Sequence, residues 1–339
     1  MPKLDLKDRR ILYFLDMNAR MPIGELAKKT GVSRQVALYR INKMKKEGII
    51  QAALTIFDSV LVGYNWFRVL IRLGGAGKVQ KQQLLEFLSN HPSAMWVGEV
   101  GGNWDVIVNF ITKDNYSFNT IFEDFLNKYG KFVKAYEILV YINVRDQSRI
   151  YLLDDKIKEE QLERKYFVHS MKFNSELGFD DLDKQIVDVI STDAFLSNLQ
   201  IANKLGVSDK TVTARIKKME QNKLILGYRA MIHPFAIGYE VYMLFLGINN
   251  LQSDREKQLN NFLLASQNVT FVVNHIGRWR IGVEVEVKNR IEFQSFVVEL
   301  RDKFGDVISD FETFPIFKDH TFNYFPEGNL KANQRGAPL

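Results

Sequence analysis

The stretch GVSRQVALYRINKMKKEGII, residues 31–50, returns in altered form as GVSDKTVTARIKKMEQNKLI, residues 206–225. The two stretches are 175 positions apart, because 206 − 31 = 175. The same shift aligns identical residues along most of the chain: Asp8 with Asp183, Arg40 with Arg215, Tyr64 with Tyr239, Trp104 with Trp279 and Gly130 with Gly305. Solenoid repeats have periods of about 20–50 residues, so this period indicates the duplication of a domain-sized unit.

The composition is that of an ordinary globular chain. Of the 339 residues, 46% are hydrophobic and 25% are charged, which is enough to form two or more packed domains. With a cysteine count of 0, the chain has no disulfide, thiolate zinc site or cysteine nucleophile. No apolar signal segment and no membrane-length apolar run is visible, so we expect a cytoplasmic protein without a membrane partner. The net charge of +6 favours a polyanionic partner.

Each copy begins with a pattern typical of three short helices. In the first copy, apolar residues recur at helical spacing over residues 6–15, 23–27 and 37–44. Between the second and third segments, Gly31 allows a tight turn and Ser33 is suited to cap the helix that follows. This order predicts a helix-turn-helix domain, hereafter a head, with a strand over residues 52–57 after it.

The apolar period becomes strand-like after Gly63. The first copy then predicts strands at residues 66–73, 95–100, 105–111 and 133–142, and helices at residues 79–90 and 116–129. The β-α-β-β-α-β order is the ferredoxin-like pattern, which the second copy repeats over residues 239–317. The predicted fold class is α+β, with winged-helix-type helix-turn-helix domains and ferredoxin-like domains, each present twice.

These patterns also predict the domain boundaries. The heads occupy residues 1–55 and 179–230, and the ferredoxin-like domains occupy residues 60–145 and 235–322. A connector over residues 146–178 contains the charge-rich stretch DDKIKEEQLERK, and we expect it to be partly helical and without strands. Residues 323–339 are expected to form a frayed tail.

The pattern LA..GVS......RI..M, the GII that follows it and the later GGNWD resemble the Lrp/AsnC family of transcription regulators. The resemblance implies that the heads bind double-stranded DNA and that the ferredoxin-like domains form dimers and higher oligomers. It also implies an amino acid or related small molecule as effector. Because most members carry one copy per chain, the tandem copies imply an intramolecular pseudo-dimer that pairs further with other chains.

The third helix of the first copy has the features of a DNA-reading helix. Ala37, Ile41 and Met44 form an apolar stripe that would pack on the rest of the head. Base edges are expected to be read by Ser33, Arg34, Gln35, Leu38, Tyr39 and Asn42, and phosphates to be contacted by Arg40, Lys43, Lys45 and Lys46. A solvated basic helix is the alternative interpretation of the same charges.

The equivalent helix of the second copy is less basic. Residues 1–55 contain 12 Lys and Arg against 5 Asp and Glu, a net charge of +7, whereas residues 176–230 contain 8 of each and are neutral. Asp209 replaces Arg34. The DNA contacts predicted here are Ser208, Lys210, Thr211, Thr213, Arg215, Lys217 and Lys218. We therefore predict unequal heads, of which the first is the main DNA anchor.

The stretch GEVGGNWDVIV, residues 98–108, is the candidate effector site, because it resembles the glycine-rich turn of the family. Gly101 and Gly102 permit close backbone approach, and Asp105 could accept a hydrogen bond from a ligand ammonium group. A two-glycine hairpin turn explains the same residues without a ligand. In the second copy Arg280 replaces Asp105, which predicts an altered or silent site.

Two other functions stay open at the level of sequence. Some proteins that resemble Lrp/AsnC pairs are decarboxylases of sirohaem-type tetrapyrroles, and these are expected to carry His and Arg near the first sheet strand. Here His233 stands where the first copy has Asp58, and neither copy supplies a His pair. A sensor or scaffold with vestigial heads is the other alternative. The scattered histidines lack zinc-site spacing, so we predict no metal, no cofactor and no catalytic residue.

Overall fold

A computed structural model describes residues 4–153, 166–169, 172–174, 177–249 and 253–325. The first copy consists of α1 Leu6–Met17, α2 Ile23–Thr30, α3 Arg34–Lys46, β1 Ile50–Phe57, β2 Asn65–Leu73, α4 Lys78–Ser89, β3 Ala94–Val100, β4 Val106–Thr112, α5 Asn115–Tyr129 and β5 Val133–Gln147. After β6 Tyr166–His169, the second copy consists of α6 Asp181–Thr192, α7 Asn198–Leu205, α8 Asp209–Gln221, β7 Ile225–Ile232, β8 Glu240–Ile248, α9 Ser253–Ala265, β9 Val269–Ile276, β10 Ile281–Val287, α10 Arg290–Phe304 and β11 Ile308–Phe322. The predicted α+β fold class is confirmed.

The repeat in the sequence is also a repeat in the structure. Helix α1 begins at residue 6 and α6 at residue 181, a difference of 175, and β2 and β8 begin at residues 65 and 240, again 175 apart. Both helix-turn-helix turns contain a left-handed glycine, with φ of 65° at Gly31 and 69° at Gly206. The serine two residues later caps the next helix in each head, since the Oγ atoms of Ser33 and Ser208 accept backbone amides at 3.2 and 3.0 Å.

The two ferredoxin-like halves close into one antiparallel ring of strands. Around the ring the order is β2-β4-β3-β11-β8-β10-β9-β5, and β5 pairs with β2 again. The long strands β5 and β11 join the halves, because each pairs first within its own copy and then with β9 or β3 of the other copy. The two copies thus pack within one chain as two subunits would.

Helices α4, α5, α9 and α10 cover the outside of this barrel. On β2, Phe67, Val69 and Ile71 belong to the core beneath α4 and α5, and alternate residues such as Arg68 face the interior. On β10, Val283 and Val285 belong to the core beneath α9 and α10 in the same way. An eight-stranded barrel has an interior that side chains can fill or that can hold one small ligand.

The heads are joined to each other by an exchange of strands. Strand β1 leaves the first head, yet its Ala53 and Phe57 pack in the core of the second head. In the same way, Ala230 and Ile232 of β7 pack with α1 of the first head. β1 and β7 pair antiparallel, so the spacing of the two heads is fixed by a shared sheet.

The structure corrects three predicted boundaries. β5 continues to Gln147, five residues past the predicted end, because its last part pairs with β9 and β6. The connector therefore contains a strand, β6, which the sequence did not suggest. Residues 323–325, assigned to the tail, are buried in the core, with Phe325 packed edge-on against Phe57. The charge-rich connector stretch and residues 326–339 lie outside the described residues.

Candidate nucleic-acid interface and interior cavity

Helix α3 presents the predicted reading face to solvent. Ala37, Ile41 and Met44 are buried, as the apolar spacing predicts. The residues between them point outwards, and Leu38 and Tyr39 are 48% and 69% exposed. Among the other predicted contacts, Ser33, Arg34, Gln35, Asn42, Lys43 and Lys46 are exposed as well. Large apolar side chains at the solvent face of a basic helix fit a surface that is covered when a partner binds.

Arg40 and Arg215 have partners inside the protein. The guanidinium of Arg40 donates to Asp5 and Asp8 at 2.7 Å each. Both carboxylates belong to the capping box at the start of α1, and Arg215 joins the equivalent box at α6. Each arginine therefore ties its recognition helix to the first helix of the head, a role that the sequence analysis had not assigned.

Lys45 lies between the two heads. Its ammonium group is 3.6 Å from the ring centroid of Phe195, which lies between α6 and α7 of the second head. Partial burial lowers the pKa of Lys45, and Asp193 acts in the opposite direction. Across the same junction, Arg20 donates to the carbonyl of Leu196 at 2.8 Å. Lys45 is exposed and contacts the other head in this structure, and its contact with phosphate stays a prediction.

The second recognition helix exposes a different set of groups. Asp209 and Lys210 are exposed at its start, and Lys217 and Lys218 are exposed further along. Other predicted contacts bond within the head: the Thr211 hydroxyl lies 2.8 Å from Ser208 Oγ, and the Thr213 hydroxyl accepts from Asn198 at 2.9 Å. The two helices differ most at their amino-terminal ends, where an arginine faces solvent in one and an aspartate in the other.

The glycine-rich turn packs against the second copy of the domain. The amide of Gly101 donates to the carbonyl of Pro315 at 3.0 Å, and a Cβ at Gly101 would lie 2.8 Å from the ring of Phe317. Gly102 has a φ of 81°, as a hairpin turn requires. The Asp105 carboxylate accepts from the amide of Leu73 at 2.7 Å. These residues are therefore engaged by the protein, and their binding of an effector stays a prediction.

A partly open cavity of about 120 Å³ lies inside the barrel on the side facing β1 and β7. This cavity is called the interior cavity below. Its lining combines apolar side chains such as Met95, Met243 and Phe322 with charged and polar ones. The charged and polar lining residues are Arg68, Asn109, Asp146, Arg149, Arg229, Thr270, Glu284, Glu286 and Asp319.

Two polar pairs stand on different walls of the interior cavity. Arg68 Nε donates to Asn109 Oδ1 at 2.9 Å, and Arg68 is only 2% exposed. On the other wall, Thr270 donates to Glu284 at 2.7 Å. Burial, reinforced by the neighbouring charge of Glu286, raises the pKa of Glu284 to about 7. Asp319 accepts from the indole of Trp96 at 2.8 Å, and burial raises its pKa as well.

A buried charge network connects the interior cavity to the first head. Arg149 donates to Glu286, which lines the cavity, at 2.8 Å, and to Asp16 of α1 at 2.8 Å. Arg229 of β7 also donates to Asp16, at 2.7 Å. Burial alone would raise the pKa of Asp16, but the charges of Arg229 and Arg149 outweigh it and lower that pKa. Asp16, Arg149, Arg229 and Glu286 are called the Arg149 network below.

The interior cavity was not predicted from the sequence. Its polar residues come from many strands and from both copies, so no local motif groups them. A weaker signal exists, because Arg68 interrupts the apolar run WFRVLI and Glu284 and Glu286 interrupt VEVEV. Charges at alternate positions of otherwise apolar strands indicate a polar face opposite the core.

Two family models match the chain, one at each head. The model described as winged helix-turn-helix DNA-binding matches residues 4–51, and the model described as AsnC-type helix-turn-helix domain matches residues 179–220. Among curated proteins, an uncharacterized HTH-type transcriptional regulator of Pyrococcus furiosus is 30% identical over 128 residues, which cover 38% of this chain and 83% of that protein. The HTH-type transcriptional regulator FL11 of Pyrococcus horikoshii is 27% identical over 120 residues, 35% of this chain and 78% of that protein.

One solved structure is similar over almost the whole chain. The siroheme decarboxylase NirDL superposes with a TM-score of 0.60 at 14% sequence identity, covering 97% of this chain and 100% of its own. At this identity the likeness shows a shared two-copy fold. Among the described residues, no helix is long and apolar enough to cross a membrane.

Two helix-turn-helix heads carried by a closed pair of ferredoxin-like domains define a DNA-binding protein made of two fused subunits. The chain belongs to the AsnC-type helix-turn-helix family of transcriptional regulators. The family resemblance seen in the sequence is thereby confirmed, and the chain is a tandem member of that family.

Proposed function

We propose that this regulator binds DNA mainly through its first head, and that the second head reads an adjoining half-site with lower affinity and different base preference. The observation that carries the proposal is the contrast between Arg34 and Asp209 at equivalent, exposed positions. An arginine there can bond guanine with two hydrogen bonds, whereas an aspartate repels phosphate and can accept from the amino group of cytosine. The net charges of +7 and zero act in the same direction.

Fused heads impose a fixed geometry on the operator. Because β1 and β7 pair with each other, the two recognition helices have a set separation. Two-headed regulators of this type bind half-sites about one helical turn, or a multiple of it, apart. Once the first head is bound, the second contact is intramolecular, so a weak head still adds affinity. The proposal therefore includes a two-part operator with unequal halves.

The proposal also includes a small effector and assembly of further chains. Both are implied by the family resemblance and remain to be measured. The residues first considered for the effector are engaged within the protein, since Asp105 holds the amide of Leu73. The interior cavity offers polar groups to a ligand more directly than the glycine-rich turn does.

We propose a binding role for this chain and not a catalytic one. Tetrapyrrole decarboxylation is the second candidate, because the siroheme decarboxylase NirDL shares the two-copy fold. The interior cavity of about 120 Å³ is well below the roughly 300–1,000 Å³ of pockets that hold drug-sized ligands. No histidine is among the described residues that line it. Uptake of an iron tetrapyrrole, seen as absorption in the Soret region, would favour the enzyme.

The first experiment is selection of genomic DNA fragments at about 150 mM salt, where binding through phosphates alone is weak. We expect an enriched motif in two parts, one well defined and one degenerate. A symmetric motif would contradict the unequal heads, and no enrichment by the folded chain would contradict sequence-specific binding in the absence of effector.

A pair of matched charge reversals then tests which head dominates. Arg34→Asp gives the first head the residue of the second, and Asp209→Arg does the reverse. Since a two-bond arginine contact is worth about 1–3 kcal/mol, we expect Arg34→Asp to weaken operator binding more than tenfold. Asp209→Arg should strengthen binding and change the preferred base in the degenerate half. Equal effects of opposite sign on a symmetric site would overturn the assignment.

A further inference from the structure

The charges that line the interior cavity are not balanced pair by pair. Arg149 and Arg229 are held by carboxylates of the Arg149 network. Arg68, by contrast, forms no salt bridge with a described residue, and its Nη1 atom has no hydrogen-bond partner among them. Glu284 and Asp319 accept only from a hydroxyl and an indole. One cation and two carboxylates thus face the same cavity without a salt bridge to any described residue.

The unbalanced groups stand at positions related by the duplication. Arg68 and Asn109 are opposite each other on β2 and β4. The shift of 175 carries this cross-strand pair onto Met243 and Glu284, since 68 + 175 = 243 and 109 + 175 = 284. Met243 and Glu284 are likewise opposite each other, on β8 and β10, and both line the cavity. One wall of the cavity is therefore cationic and the equivalent wall is anionic.

Two symmetry-related walls of opposite charge suit a ligand with two ends of opposite charge. Arg68 and Asn109 supply N–H donors, which match a carboxylate or another planar anion. Glu284 and Asp319 supply acceptors, which match an ammonium group. One ordered water needs a cavity of about 10–15 Å³. The interior cavity of about 120 Å³ can therefore hold a molecule of several heavy atoms.

We propose that the interior cavity binds one small zwitterionic metabolite, with its anionic end at Arg68 and Asn109 and its ammonium end at Glu284 and Asp319. The site differs from the glycine-rich turn, whose residues Gly101, Gly102 and Asp105 are not among those lining the cavity. Ligand binding by the cavity does not depend on the DNA-binding proposal, but an effect of the ligand on regulation does.

The Arg149 network gives the ligand a route to one head only. Glu286 lines the cavity, Arg149 binds it, and Asp16 of the first head binds Arg149. Their equivalents after the shift of 175 are uncharged: Ile111 for Glu286, Tyr324 for Arg149, Ser191 for Asp16 and Leu54 for Arg229. An occupant that changes the charge or position of Glu286 acts on the first head through buried ion pairs, and in the described part of the chain the equivalent positions form no such pairs with the second head.

Binding is tested with the full chain and defined probes. The probes are the twenty standard amino acids, γ-aminobutyrate, putrescine, which carries two ammonium groups, and succinate, which carries two carboxylates. We expect at least one zwitterion to raise the melting temperature and to bind in calorimetry at least tenfold more tightly than putrescine or succinate. Failure of every zwitterion to bind the folded chain would overturn the proposal.

Two variants copy one wall onto the other and locate the site. Arg68→Met and Glu284→Asn each install the residue of the opposite half. We expect each to weaken zwitterion binding at least 30-fold, with Arg68→Met shifting preference towards putrescine and Glu284→Asn towards succinate. A cooperative thermal transition and unaltered circular dichroism establish that both variants fold. Asp105→Ala is the matched control at the other candidate site and should change affinity less than twofold.

The outcomes separate ligand binding from regulation. If Asp105→Ala abolishes binding and Arg68→Met does not, the glycine-rich turn is the site and the cavity proposal is wrong. If calorimetry gives the expected pattern but no DNA is bound, the ligand site stands and the DNA proposal fails. If both hold, Asp16→Asn, a change outside the cavity lining, should still bind the zwitterion within a few-fold of the parent while the ligand no longer changes operator affinity.

Discussion

The first and second heads have the same structure and different chemistry. Each has a left-handed glycine in its turn, a capping serine, and an arginine that ties the recognition helix to a capping box. These are the positions that the structure needs, and both copies keep them. The positions that differ face either solvent, as at Arg34 and Asp209, or the interior, as at Asp16 and Ser191. The two halves therefore share a framework and differ at the surface and in the interior.

The same contrast holds inside the barrel. A symmetric pair of subunits must place equal groups on both sides of its axis, so a cavity on that axis offers like charges to a ligand. Fusion removes this constraint, because each half can be substituted separately. Arg68 therefore faces the cavity from one half and Glu284 from the other. A fused regulator can therefore bind an asymmetric ligand in a cavity on this axis. A homodimer would have to lose its own symmetry to do the same.

The largest predicted difference between the halves is in the free energy of unfolding, and it concerns Asp16 at the buried end of α1. Asp16 is fully buried and holds Arg149 and Arg229, so Asp16→Asn leaves two buried cations without their shared carboxylate. Breaking such a pair costs about 3–5 kcal/mol. The equivalent change, Ser191→Ala, removes one hydroxyl bond to Asp188 and should cost about 1 kcal/mol. Urea unfolding of both variants gives the two free energies.

Equal losses for Asp16→Asn and Ser191→Ala would show that the charge network is not a special feature of the first half. The pH dependence supplies a second check. Because the pKa of Asp16 is lowered in the folded state, its stabilisation is present above the unfolded value and is lost as pH falls through the folded one. The parent should therefore lose its advantage over Asp16→Asn in acid, below about pH 4.

The framework was predictable from the sequence, because periodicity and capping are local. The helix period, the glycine of the turn and the serine cap identified each head, and a constant shift identified the duplication. The contacts of Arg40 with Asp5 and Asp8 could not be predicted, because these residues become neighbours only after α1 packs on α3. The contact of Lys45 with Phe195 could not be predicted either, because Phe195 lies in the other head.

The interior cavity could not be predicted for a related reason. Its walls combine residues such as Arg68, Asp146 and Glu284, which are far apart in sequence and belong to both copies. Their proximity follows from the pairing of β5 with β9 and of β11 with β3, and single-copy patterns contain no information on that pairing. The alternation within β10 indicated that Glu284 and Glu286 share a face, but not what the face would meet.

A smaller difference is expected between the two walls of the cavity in the pH dependence of stability. Burial raises the pKa of Glu284 from 4.5 to about 7, so its contribution to stability is full below pH 4.5 and is lost as pH rises through 7. Glu284→Gln removes this loss. We expect the variant to match the parent near pH 4.5 and to exceed it at pH 8 by up to about 3 kcal/mol, at about 1.4 kcal/mol per pKa unit.

Asp319 and Glu286 are present in both the parent and Glu284→Gln, so the comparison of the two chains at each pH isolates the substitution at Glu284. Asn109→Leu serves as the control on the opposite wall, since Asn109 does not titrate. A constant stability difference between parent and Glu284→Gln from pH 4.5 to 8 would mean that Glu284 is not held in a charge-excluding site.

The smallest expected effect concerns single lysines on the two recognition helices. Lys43 and Lys218 are equivalent, since 43 + 175 = 218, and both are exposed. Lys43 has only a long contact of 3.9 Å with Glu47, which costs little to break, whereas Lys218 donates to the carbonyl of Gly178 at 3.4 Å. If Lys43 contacts a phosphate, Lys43→Ala should reduce the slope of log affinity against log salt by about 0.9, and Lys218→Ala should leave it nearly unchanged.

A change of the same size for both lysines would mean that the second head contacts the DNA backbone as fully as the first. The inequality between the heads would then be confined to base reading at Arg34 and Asp209.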